Sequence, residues 1–129
     1  MLFFEWNDNL KTGNEKIDEQ HKKLIEMINL LYTSMKKGEG KNVLEKLLKE
    51  LLDYTQYHFE TEEKFFNNIK EKNFDKHIKE HNNFTFKIKE FKIRFESGEK
   101  FFTIELLNFL KDWLLNHIRK VDIETFKNI

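Results

Sequence analysis

The sequence predicts an all-α fold: an up-down-up-down antiparallel four-helix bundle preceded by an N-terminal arm. Four segments carry apolar residues at steps of three and four, the period of an amphipathic helix. The chain has no proline and only four glycines, so little interrupts long helices. The breaks between segments are short, which favours antiparallel neighbours. We therefore expect residues 1–129 to form one domain, with an arm over residues 1–17 and a bundle over residues 18–129.

The arm and the first helix come first along the chain. The arm carries Phe3, Phe4 and Trp6, and we expect these aromatic side chains to lie against the bundle. The first helix is predicted over residues 18–37, and the break that follows it contains two of the four glycines. Its predicted inward face comprises Ile17, His21, Leu24, Ile28, Leu31 and Met35.

The other three helices are predicted over residues 42–67, 73–96 and 101–118. The inward face of the second comprises Leu44, Leu47, Leu51, Thr55, His58, Glu62 and Phe65. The inward face of the third comprises His77, His81, Phe84, Ile88, Phe91 and Phe95. The inward face of the fourth comprises Ile104, Leu107, Leu110, Leu114 and His117.

Composition excludes several classes of protein. Lys plus Arg number 23 and Asp plus Glu number 23, so no net field recruits nucleic acid or an anionic membrane. The absence of cysteine excludes disulfides, iron–sulfur clusters and thiolate zinc sites. No apolar run approaches the roughly 18 residues of a membrane span, and charge appears too early in residues 1–5 for a signal peptide. We expect a cytoplasmic protein with no nucleic-acid partner and no membrane partner.

The inward faces carry polar groups where a core would favour leucine. Counted from the connecting turns at about 1.5 Å per residue, all five histidines reach one level with Glu62. A single inward histidine is usually a hydrogen-bonded core residue, but five neutral imidazoles cannot all satisfy one another, and a cluster of charged ones would be worse. A bound cation resolves the difficulty. The histidines are His21, His58, His77, His81 and His117.

Asp122 is the second carboxylate expected at this level. It follows His117 by five residues, which in a regular helix leaves the two side chains about 140° apart. For Asp122 to reach the site, the helix must end or distort between the two residues. Arg119 and Lys120 would then face solvent.

The donor set consists of five nitrogens and two carboxylates, too many for one ion and enough for two if the carboxylates bridge. Imidazole and carboxylate suit iron, zinc or copper, while the absence of sulfur disfavours Cu(I) and structural zinc. Ferritin-like bundles use Glu-x-x-His motifs in a carboxylate-rich set. Here imidazoles dominate, in His-x-x-x-Glu and His-x-x-x-His motifs, which favours a ferrous resting state.

Four short elements follow one another along nearly the whole chain. They are residues 13–21 (GNEKIDEQH), residues 58–63 (HFETEE), His77-x-x-x-His81, and Trp113-Leu114-x-x-His117-x-x-x-x-Asp122. Each alone is a weak signal, but the ordered set is specific. It resembles the hemerythrin family, and within it the single-domain bacterial members, the bacteriohemerythrins.

The resemblance implies a non-haem di-iron centre bridged by Glu62, Asp122 and an oxo or hydroxo group. One iron would be held by His77, His81 and His117, and the other by His21 and His58. Three nitrogens and three bridging oxygens fill six positions, so the second iron keeps one open position. Dioxygen would bind reversibly at this five-coordinate iron and be held as a hydroperoxide. The family lines this pocket with apolar side chains, which implies Leu24, Phe59, Trp113 and Leu114 here.

These implications favour a monomeric oxygen carrier or store over an enzyme, since no Ser, Cys, Lys or spare His lies in register as a nucleophile or general acid. One alternative is a di-iron oxidase, or a reductase of peroxide or nitric oxide, with the same ligands. Another is an oxygen-sensing module; only seven residues follow Asp122, so signalling, like oxygen delivery, would use a separate protein partner. A structural protein without metal is the third alternative.

Overall fold

The computed structural model describes residues 3–68, 74–96 and 104–123, apart from the side chains of residues 92, 94–96 and 120–122. It confirms an all-α four-helix bundle with an N-terminal arm. The helices are α1 (Glu15–Lys36), α2 (Lys41–Asn68), α3 (Phe74–Glu96) and α4 (Ile104–Asn116). A 3₁₀ turn, Asp8–Leu10, lies in the arm, and a π-helical segment, His117–Asp122, continues α4. Helix α1 packs against α2 and α4, and α2 packs against α3.

Local signals fix both ends of α1. The Asn14 side chain accepts a hydrogen bond from the Ile17 backbone N–H at 3.1 Å, so the helix begins at Glu15, three residues before its predicted start. At the other end Gly38 has a φ of 72°, a conformation that favours glycine. The Gly38 and Glu39 N–H groups donate to the carbonyls of Met35 and Ser34, the pattern of a Schellman cap.

The arm lies against the bundle, as its aromatic residues predict. Phe4 is buried, and its backbone N–H donates to Asn29 Oδ1 at 2.8 Å while Asn29 Nδ2 donates to the Phe4 carbonyl at 2.7 Å. The Phe3 ring stacks on Tyr32 with centroids 4.6 Å apart. The Asn29 side chain therefore fastens the arm to α1 through two backbone groups.

An Asn29→Ala variant should lower the free energy of unfolding by about 1–3 kcal/mol, because it removes two hydrogen bonds. The partly buried N–H and carbonyl groups of Phe4 would then lose the Asn29 side chain as their hydrogen-bond partner. Urea denaturation would measure the change. Asn82→Ala, at an exposed position on α3, is the matched control. Equal losses in the two variants would show that the Asn29 bonds contribute nothing.

The core follows the predicted inward faces with four exceptions. On α1, the predicted Met35 is only partly buried. On α2, Leu48 and Phe66 are buried, while the predicted Leu47 and Phe65 are only partly buried. On α4, the predicted Ile104 is 58% exposed. The predicted start of the fourth helix and the Phe95 side chain lie outside the described residues. Among those residues, no helix combines the length and apolar character needed to cross a bilayer.

Candidate metal centre

Glu62 lies at the centre of the candidate site. It is on α2, its side chain is fully buried, and four buried imidazoles surround its carboxylate. The closest approaches are His21 Nε2 to Oε2 at 3.8 Å, and the Nε2 atoms of His58, His81 and His117 to Oε1 at 3.2, 3.3 and 3.1 Å. The rings come from α1, α2, α3 and the start of the π-helical segment, and each of these four elements contributes one imidazole.

The ligand atoms form two groups that share Glu62. One group contains His21, His58 and Glu62, and the other contains Glu62, His81 and His117. Within each group the candidate donor atoms lie within 4.8 Å of one another. The ring centroids are 4.6 Å apart in the first histidine pair and 5.1 Å apart in the second. A single carboxylate between two pairs of imidazoles is suited to bridging two ions.

Hydrogen bonds on the outer side of two rings fix their tautomers. His58 Nδ1 lies 2.7 Å from Gln20 Oε1, and His81 Nδ1 lies 2.7 Å from Glu63 Oε2. Both oxygens can only accept, so each Nδ1 carries the proton and donates it. In the neutral rings, Nε2 then carries a lone pair and no hydrogen.

The Nδ1–H tautomers of His58 and His81 indicate whether the site suits a cation. The lone pairs of His58 Nε2 and His81 Nε2 face Glu62 Oε1 at 3.2 and 3.3 Å. Hydrogen-bond acceptors that face one another in a dry core repel. A positive ion placed between the imidazole nitrogens and the Glu62 oxygen would attract both and so replace this repulsion by attraction. The nitrogen and oxygen donors suit a transition metal such as iron. The residues therefore fit a buried cation.

His77 is placed differently from the other four histidines. It is fully buried and stacks on Phe66, with ring centroids 4.1 Å apart. Its ring centroid lies 6.5 Å from that of His81, its partner in the His-x-x-x-His motif. Neither group of converging donor atoms found among the described residues includes it. The structure thus buries His77 beside the site, stacked on Phe66.

The backbone between His117 and Asp122 departs from the α-helix, as predicted. These six residues form the π-helical segment, and the Ile123 N–H donates to the Ile118 carbonyl five residues earlier. In this wider turn each residue rotates less than the 100° of a regular helix, so position 122 returns closer to the face of His117. Arg119 is exposed, as expected. The side chains of Asp122 and Lys120 lie outside the described residues.

A small apolar cavity of about 10 Å³, the volume of about one water-sized molecule, adjoins the site. The four residues that the sequence suggested for the pocket all line it. Phe59 stacks on His81 with centroids 3.9 Å apart, and Trp113 stacks on His117 with centroids 4.7 Å apart. The complete lining is Leu24, Ile28, Leu51, Thr55, Phe59, Phe84, Leu110, Trp113 and Leu114.

Sequence reasoning gave no role to Gln20 and Glu63. A signal for them existed, because each is adjacent in sequence to a candidate ligand. Neighbouring positions on a helix point about 100° apart, so a residue next to an inward ligand faces an adjacent helix. Here Gln20 reaches His58, and Glu63 reaches His81.

Tyr54 lies in a surface groove that Gln20 also lines. Burial raises the pKa of Tyr54 above its ordinary value of 10.0, and the nearby Tyr57 and Glu19 raise it further. The Tyr54 phenol is therefore neutral at physiological pH. Since folding raises the pKa of Tyr54, the neutral phenol contributes fully to stability below pH 10. This contribution is lost as the pH rises through the pKa of Tyr54 in the folded protein.

The fold and the site together define a four-helix-bundle protein with a buried, imidazole-rich candidate cation site. The model of the hemerythrin HHE cation binding domain matches residues 12–128. A bacteriohemerythrin of Pseudomonas paraeruginosa is 38% identical over 122 residues, which cover 95% of this chain and 78% of the relative. The chain belongs to the hemerythrin family, whose members bind non-haem iron.

More distant relatives align over the same length. A bacteriohemerythrin of Clostridium acetobutylicum is 31% identical over 125 residues, covering 94% of this chain and 97% of the relative. A hemerythrin-like protein of Naegleria gruberi is 31% identical over 121 residues, covering 94% and 89% of the two chains. The similarity therefore spans nearly the whole chain.

Proposed function

We propose that the protein binds dioxygen reversibly at a pair of non-haem iron ions, as a carrier or store rather than an enzyme. The observation that carries this proposal is the position of Glu62 between two pairs of imidazoles, next to an apolar cavity that is about the size of one water molecule. Relatives named bacteriohemerythrin support it.

The proposal assigns the candidate ligands to two ions. His21 and His58 would hold one ion, and His81 and His117, together with His77, would hold the other. Glu62 and Asp122 would bridge the pair. The close approach of four imidazoles to Glu62 supports its bridging role, and the π-helical turn after His117 supports the part assigned to Asp122.

A pair of ferrous ions, when bound by these residues, would supply two electrons that dioxygen could take up and return. The chain's own part is to keep water and protons away from the bound gas. Leu24, Phe59 and Leu114 are buried and form apolar walls. Among the residues that the structure describes around the cavity, Thr55 supplies the one hydroxyl group, and that hydroxyl donates to the Leu51 carbonyl at 2.8 Å. Because the Thr55 hydroxyl proton is already donated to Leu51, it is not available to protonate bound dioxygen. The cavity wall therefore favours release of intact dioxygen over reduction of dioxygen.

Anaerobic loading with ferrous iron followed by an oxygen titration tests the function. The expected result is a coloured oxygenated form that appears with rising oxygen and bleaches on degassing. Continuous oxygen consumption in the presence of a reductant, with no accumulation of the coloured form, would instead identify an oxidase or reductase. Metal analysis of the same sample should find about two irons per chain.

A Leu114→Asn variant should hasten autoxidation to the diferric form, because a polar side chain in the wall admits water and protons. We expect the rate to rise about tenfold, which corresponds to a barrier lowered by about 1.4 kcal/mol. The decay of the oxygenated absorption band at constant temperature would measure it. Leu30→Asn, at an exposed position on α1, controls for the added amide. An unchanged rate in Leu114→Asn would contradict a hydrophobic barrier at this position.

A further inference from the structure

Two side chains form hydrogen bonds between successive helices that carry candidate ligands: one joins α1 to α2 and the other joins α2 to α3. Gln20 precedes His21 on α1 but binds His58 on α2, and Glu63 follows Glu62 on α2 but binds His81 on α3. Helices α1 and α2 therefore each supply a candidate ligand and also orient a histidine ring on the following helix.

The orientation of the Gln20 amide is fixed by a chain of donors. The Thr61 hydroxyl donates to the Tyr57 carbonyl at 3.0 Å, so its oxygen is left to accept from Gln20 Nε2 at 3.4 Å. The Gln20 carbonyl oxygen then faces His58 Nδ1 at 2.7 Å. Gln20 is almost completely buried, and its hydrogen bond to His58 is buried as well.

The two supporting groups differ in charge. The acceptor for His58 is a neutral amide oxygen, whereas the acceptor for His81 is a carboxylate oxygen at the same 2.7 Å distance. A hydrogen bond to an ionised acceptor is roughly twice as strong as a neutral one. A stronger pull on the Nδ1 proton makes the opposite ring nitrogen a better electron donor to a metal. His81 is therefore the stronger donor of the two.

We propose that Gln20 and Glu63 are positioning residues that fix the Nδ1–H tautomers of His58 and His81 and make the two metal positions electronically unequal. The ion held by His81 and His117 is the more electron-rich and the more stable in the ferric state. This inference rests on the proposed iron pair. The tautomers, however, are a property of the chain without metal and can be tested separately.

The tautomers are tested first, by ¹⁵N NMR of the metal-free protein. We expect His58 and His81 to carry the proton on Nδ1. Glu63→Leu should shift His81 toward the Nε2–H form, which can donate to Glu62, and Glu63→Gln should restore the Nδ1–H form because an amide oxygen still accepts. Unchanged tautomers in Glu63→Leu would overturn the positioning role whether or not the protein binds iron.

The charge effect is tested by spectroelectrochemistry of the iron-loaded protein. Glu63→Gln should shift the ferric-to-ferrous equilibrium about tenfold toward ferrous iron, a rise of about 59 mV for a one-electron step. Gln20→Glu should shift it in the opposite direction, since the carboxylate now acts on His58. Glu60→Gln removes a charge from an exposed position on the same helix and serves as the control.

The outcomes separate this inference from the proposed function. Equal shifts in Glu63→Gln and Glu60→Gln would overturn the charge effect, because long-range charge alone would account for them. Two irons per chain and reversible oxygen binding with no difference among the variants would leave the function standing and sink the inference. Absence of iron binding with the expected tautomers would do the reverse, sinking the function while the positioning role stands.

Discussion

A Glu62→Gln variant is expected to lose both of the proposed iron ions, because the carboxylate it neutralises is shared by both histidine groups. The substitution keeps the size of the side chain and removes its negative charge. Loss of an outer hydrogen-bond partner already weakens metal binding by about 10–100-fold, so removing the shared carboxylate should weaken ferrous binding by at least about 100-fold. Anaerobic titration with ferrous iron and metal analysis after desalting would measure the loss.

Glu60→Gln is the matched control for this prediction. It makes the same chemical change two residues earlier on α2, at an exposed position. The control should retain the iron content of the unmodified protein. If Glu62→Gln retained both ions at the same affinity, Glu62 could not be a bridging ligand. Circular dichroism of both variants would establish that the helices are intact.

A Phe59→Ala variant should lose about 3–5 kcal/mol of unfolding free energy, the range for removing a buried aromatic ring. Phe59 is 2% exposed and touches rings from two other helices. It stacks on His81 at 3.9 Å and meets Phe84 and Trp113 edge-on at 5.7 and 5.5 Å between centroids. Since small domains are stable by about 5–15 kcal/mol, this is a large share of the total. Urea denaturation of the metal-free protein would measure it.

Phe86→Ala provides the comparison, because Phe86 is 64% exposed on α3. Its loss should change the free energy of unfolding by no more than about 0.5 kcal/mol. A similar small effect for Phe59→Ala would mean that the ring layer beside the site contributes little to stability.

The helices themselves followed from the spacing of apolar residues, but the rotation of α2 did not. Residues 47 and 48 are both leucine, and residues 65 and 66 are both phenylalanine. Periodicity cannot choose between adjacent apolar positions, and packing against the neighbouring helices decided in favour of Leu48 and Phe66.

The irregular turn after His117 was predictable because the expected role of Asp122 as a ligand conflicted with regular helix geometry. Five residues of α-helix would turn Asp122 away from the face of His117, so a departure from the helix was expected, and the π-helical segment is that departure. The form of the departure was not predictable, since ending the helix would have met the same requirement.

The contacts between helices could not be predicted from the sequence. Counting residues from the turns places the histidines at one level, but whether a side chain reaches a neighbouring ring depends on helix rotation and on rotamers. Gln20 and Glu63 are examples, since only the relative rotation of the helices brings them to His58 and His81. The stacking of His77 on Phe66 is another contact that the spacing of residues does not predict.

The most direct test of a carboxylate shared between two metal ions is anomalous diffraction at the iron absorption edge from crystals of the iron-loaded protein. We predict two iron peaks, one beside His21 and His58 and one beside His81 and His117, with Glu62 between them. A single peak, or iron bound away from Glu62, would contradict the account.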